Sequence, residues 1–87
     1  MITPQRKAKI KWHCRRGMLE LDLIFQRFFN EQIDFMEEEQ LVLFEALLEY
    51  PDPDLFSWLM GYEKSTQKEI NEIVTYIRHC DSLPKIQ

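Results

Sequence analysis

Two glycines and four prolines are all the chain-breaking residues in these 87 positions. They fall between stretches whose apolar residues recur at helical spacing. That placement leaves little room for the frequent turns of a β-protein. Thr3-Pro4 offers a hydroxyl cap followed by proline at the first turn, where its missing N–H costs nothing. A first helix is expected from there to about Cys14 or Arg15, ending near Gly17. A second runs from about Met18 to Gln32, with Leu21, Ile24, Phe25 and Phe28 on one face and Phe29 widening it. Glu37, Glu38 and Glu39 read as the acidic first turn of a third helix, continued by Leu41, Phe44, Leu47 and Leu48.

Tyr50-Pro51-Asp52-Pro53 then stops the chain, because two prolines cannot sit in a helix interior. Asp52 is expected to cap a short fourth helix with Pro53 at its first position and Leu55, Phe56, Leu59 and Met60 facing inward. Gly61 suits its end. Ser65 or Thr66 opens a fifth helix, whose Ile70, Ile73, Val74 and Ile77 keep the helical period. A frayed tail is expected over 81–87. The expectation is one all-α domain over residues 1–87, a small five-helix bundle. At this size one core is only just sufficient, and Phe25, Phe28, Phe29, Phe44, Phe56, Trp12 and Trp58 are available to fill it.

The net charge of −4 hides an asymmetry. Residues 1–16 hold six basic side chains (Arg6, Lys7, Lys9, Lys11, Arg15, Arg16) and no acidic one, whereas residues 17–63 hold twelve acidic side chains against Arg27 alone. A basic arm of this kind meets nucleic acid, an acidic protein surface or water, and the acidic body would be repelled by phosphate. No apolar run approaches the roughly 20 residues needed to span a bilayer. The opening MITPQRKAK has no apolar signal segment, so a cytoplasmic chain or a mature organellar one is expected.

Machinery for catalysis is sparse. There is no phosphate loop and no dinucleotide-binding glycine pattern. His13-Cys14 and His79-Cys80 invite a metal reading, but helix neighbours point about 100° apart and converge poorly on one ion. Cys14 beside Arg15 and Arg16 is a candidate low-pKa thiolate that lacks an evident base. What stands out is Trp12-His13-Cys14-Arg15-Arg16-Gly17-Met18-Leu19-Glu20-Leu21-Asp22: two arginines, a glycine and two carboxylates around one helix–helix corner. Gly17 has two readings. It is either a helix end needing positive φ or a place without a side chain where a partner approaches closely. Glu20 and Asp22 likewise suit either a first helical turn or an interface.

Arg16-Gly17-Met18-Leu19-Glu20 also matches an RGxxE signature. The chain resembles the succinate dehydrogenase FAD assembly factors, the SdhE (YgfY) family, in a first block around that signature. Asp52-Pro53-Asp54-Leu55-Phe56 with Trp58-Leu59-Met60 resembles the family's second block, and length and helix order agree. Departures lie mostly in the third helix, the loop before it and the tail. The resemblance implies a protein that is not itself an enzyme. It would bind the flavoprotein subunit of succinate dehydrogenase, or of fumarate reductase, and promote covalent attachment of FAD to a client histidine. FAD would belong to the client, with no cofactor or metal held stably by this chain, which would act as a monomer without membrane insertion. The RGxxE corner carries over to Arg16, Gly17 and Glu20 as partner-binding residues, with Trp12, Arg15 and Asp22 beside them. Members of the family have also been described as antitoxins. An antitoxin-like or other protein-binding regulator, and nucleic-acid binding through the basic first helix, stand as alternatives.

Overall fold

The computed structural model describes residues 2–81. Five α-helices account for most of them: α1 Pro4–His13, α2 Leu19–Gln32, α3 Glu38–Leu47, α4 Asp52–Leu59 and α5 Lys68–Asp81. No strand occurs among the described residues. Residues 82–87 of the expected frayed tail lie outside them.

Local chemistry accounts for most boundaries. Thr3 Oγ1 accepts the Arg6 N–H at 3.2 Å, with Pro4 behind it, and α1 starts there as expected. It ends one or two residues early, with Cys14 closing the last turn through its N–H to Ile10 O and Lys11 O. A 3-10 turn at Ile33–Phe35, which periodicity did not suggest, prolongs α2 and buries Ile33. Gln40 Oε1 accepts the Glu37 N–H at 2.9 Å at the start of α3. Gly61 takes φ +82° just past α4, the left-handed conformation that lets its N–H fold back to Trp58 O.

Two starts differ from expectation. Ser65 does not open α5; its hydroxyl accepts the Gln67 N–H, and its backbone exchanges two 2.8 Å bonds with the Asn71 amide, so the helix begins at Lys68. Asp52 does not cap α4 either. Pro51 occupies the cap position and Asp52 is already the first helical residue, its carboxylate turned elsewhere.

The core joins Ile10 and Cys14 of α1 to the apolar stripes of α2, α3, α4 and α5, and α5 packs against α2, α3 and α4. Phe25, Phe28 and Phe44 are fully buried, and Phe28 meets Phe44 edge-on at 5.1 Å. Leu55 and Leu59 are buried as expected, whereas Phe56 and Met60 are only partly so. Trp58 is half-buried with its ring against Tyr50. Trp12 contributes nothing to the core: 68% of it is exposed.

The basic arm is partly neutralised within the chain. Arg6 pairs with Glu38 at 2.8 Å and Glu45 at 2.6 Å, and Lys7 pairs with Asp34 at 2.9 Å. Hydrogen bonds to the Glu45 and Glu38 carboxylates hold the Arg6 guanidinium yet more firmly in its charged form.

Candidate functional site

After Cys14 the chain runs without regular structure through Arg15, Arg16 and Gly17 to Met18 and then turns into α2. Four bonds shape that corner. The Arg15 N–H donates to Trp12 O at 3.2 Å. The Arg16 N–H donates to Asp22 Oδ1 at 3.1 Å, so Asp22 reaches back from the first turn of α2. The Met18 N–H donates to Asp52 Oδ2 at 3.4 Å, and the Asp22 N–H to Met18 O begins the helix.

The two arginines part company here. Arg15 stays outside, its guanidinium 5.8 Å from the Trp12 ring centre. Arg16 turns inward, and only 14% of its side chain is exposed. Its fork donates to Leu48 O and Tyr50 O, the carbonyls where α3 ends, and to Asp52 Oδ1 at 3.3 Å. The cation thus sits where the negative end of the α3 dipole needs one, while its Cζ lies over the Phe25 ring, 5.8 Å from the ring centre. Its Nε is the one buried side-chain polar atom among the described residues without a hydrogen bond.

Gly17 does not need to be glycine for the fold. Its φ lies outside the left-handed region, and a Cβ built on it would meet only Asp52 Oδ2, at an ordinary 3.9 Å. The helix-end reading therefore belongs to Gly61, and Gly17 keeps the reading of an open approach. Glu20 is exposed, as are Leu19 and Leu23, one helical turn apart on the side of α2 away from the buried stripe. Ala8, Lys11, Trp12, Arg15, Asp22 and Gln26 line an open groove of about 470 Å³ between α1 and α2. Trp12, Arg15, Gly17 and Glu20 are thus exposed on one corner, with Asp22 half-buried and Arg16 beneath it. Asp52 and Leu23 escaped sequence reasoning as parts of the corner. The i, i+4 spacing of Leu23 from Leu19, off the core stripe, was the one signal for the leucine, and nothing local signalled Asp52.

Cys14 is no exposed nucleophile. It is fully buried, and burial pushes its thiol up to about 12, with Asp22 adding to the rise and Arg16 opposing it. Native protein at pH 8 should therefore be alkylated by iodoacetamide at Cys80 well before Cys14, which should label only on unfolding; rapid native labelling of Cys14 would contradict the burial. The same thiol makes stability pH-dependent. The unfolded group loses its proton near its ordinary 9.0, so its contribution is complete below that pH and declines as pH rises toward 12.

With this geometry in view, the family whose description is flavinator of succinate dehydrogenase matches residues 8–81. The chain is a member of that family. An FAD assembly factor SdhE from Legionella pneumophila (strain Lens) is 51% identical over 77 residues, covering 88% of this chain and 96% of that protein. One from Vibrio parahaemolyticus (serotype O3:K6, strain RIMD 2210633) is 54% identical over 65 residues, 75% of this chain and 76% of that one. The solution structure of a UPF0350 protein superimposes with a TM-score of 0.79 at 44% identity, covering 94% of this chain and 87% of that one. The flavinator match takes in the second half of α1, the corner after it and the Asp52 turn, so both sequence blocks lie within one family match. No described helix is long and apolar enough to cross a membrane.

Proposed function

We propose that this chain is an assembly factor that docks on the flavoprotein subunit of succinate dehydrogenase through the Trp12–Asp22 corner and promotes covalent attachment of FAD there. Gly17 carries the reading: the fold leaves this position open and makes no conformational demand for glycine, which fits a site where a partner's backbone comes close. Around it Glu20 offers an acceptor, Arg15 and Trp12 a cation and an aromatic face, and Leu19 and Leu23 an apolar border. Arg16 and Asp22 support the corner from below.

The factor acts as a monomer and brings no catalytic group of its own. Joining the flavin to a client histidine is chemistry of the client's flavin site, and the factor contributes by holding that site in a productive geometry. FAD stays with the client, and the flavoprotein of fumarate reductase is a second client of the same kind. The internal pairing of Arg6 and Lys7 weighs against the nucleic-acid alternative, because it takes two cations out of the basic arm.

Co-expression with the flavoprotein subunit, scored by in-gel fluorescence of covalent flavin, tests this. The chain should raise the fluorescent band, and Glu20→Ala should lower the initial rate of attachment about tenfold, the effect of losing one charged hydrogen bond. Normal flavinylation with Glu20→Ala would remove the corner from the mechanism.

A further inference from the structure

Asp52 is the first residue of α4, yet its carboxylate makes no capping bond to its own helix. One oxygen accepts from Arg16 Nη1 at 3.3 Å and the other from the Met18 N–H at 3.4 Å, partners 36 and 34 residues away in the chain. Met18 is also the residue that precedes α2. The carboxylate therefore lies where the start of α4, the start of α2 and the Arg16 guanidinium meet, three positive features around one anion. It is also the atom nearest to the open side of Gly17.

We infer that Asp52 is a positioning residue of the docking corner: by holding Met18 and Arg16 together, its carboxylate sets the path of residues 15–18 and keeps Gly17 presented to the client. The inference deepens the proposed function and rests on it. A purely structural Asp52 would affect how many molecules are folded. A positioning Asp52 affects how well a folded molecule binds, and the two separate experimentally.

The experiment uses the full chain and the isolated flavoprotein subunit of succinate dehydrogenase. In the free chain, amide exchange at Met18 is followed by NMR; in the pair, affinity is measured well below the melting temperature. Asp52→Asn keeps the side chain's size, and Arg16 retains its bonds to Leu48 O and Tyr50 O, so the fold should persist with a melting temperature about 5 °C lower. Met18 should exchange at least about tenfold faster and affinity should drop about tenfold. Ile73→Val in the core of α5 is the stability control: a similar loss of melting temperature with unchanged affinity. Asp52→Glu keeps the charge beside Arg16 and displaces the carboxylate, so it serves where Asp52→Asn does not fold.

A variant with a loosened Met18 amide and wild-type affinity would overturn the inference. So would an unchanged Met18 amide in both Asp52 variants, or an affinity loss of equal size with Ile73→Val. If Glu20→Ala also binds as wild type, the corner is not the docking site and both readings fall. If Glu20→Ala weakens binding while Asp52→Asn does not, only the role of Asp52 falls.

Discussion

Gly17→Arg should abolish docking while leaving the protein folded. The backbone at Gly17 accepts any L-residue, and the nearest atom to a new Cβ, Asp52 Oδ2, is at ordinary contact distance. A side chain can therefore extend outward without moving the core, and the melting temperature should stay within about 4 °C of wild type. The client meets a long cation where it had free approach, so affinity should fall by at least about a hundredfold, ~3 kcal/mol. Gly17→Ala, adding only the Cβ, should show a small fraction of that loss. Affinity measured beside thermal melting decides it. A large loss of stability with intact affinity would return Gly17 to a structural role.

The second large effect is on the fold. Arg16→Ala removes the donors to Leu48 O, Tyr50 O and Asp52 together and leaves a partly buried carboxylate facing no guanidinium. Removing one partner of a fully buried pair costs about 3–5 kcal/mol; with Asp52 25% exposed to water, about 2–3 kcal/mol is expected. For a domain of this size that is a fall of roughly 10–20 °C in melting temperature. Urea unfolding should show the loss in the midpoint with the slope unchanged. Arg16→Lys should recover only part of it, since an ammonium cannot address two carbonyls and a carboxylate as a planar fork does. A melting temperature within a few degrees of wild type for Arg16→Ala would mean that these bonds are replaced by water at little cost.

These variants also mark where local reasoning reaches and where it stops. The helices were legible because their causes are local. Thr3-Pro4 caps α1, Gly61 takes the positive φ that ends α4, and Ile70, Ile73, Val74 and Ile77 keep one face of α5 apolar. The 3-10 turn at Ile33–Phe35 was not legible, because three residues carry no period. The corner was legible in its letters but not in its directions. Arg15 and Arg16 are chemically alike neighbours, and what sends one outward and the other under Tyr50 is the position of the α3–α4 turn more than thirty residues later. Asp52 in an Asp-Pro pair has the local signature of a cap, and only the arrival of Met18 and Arg16 beside it shows the carboxylate engaged elsewhere. Trp12 lies next to buried core in sequence and remains outside, against Arg15.

That division has a consequence for anyone wishing to imitate or block the corner. The signature occupies five consecutive residues, but its shape is imposed by bonds that arrive from Leu48, Tyr50 and Asp52. A synthetic peptide copying residues 12–24 would carry the letters without the form and would pay the whole cost of ordering on contact. A competitor worth making, or a transplant onto another scaffold, must bring the turn at 48–52 along with the signature as one discontinuous unit.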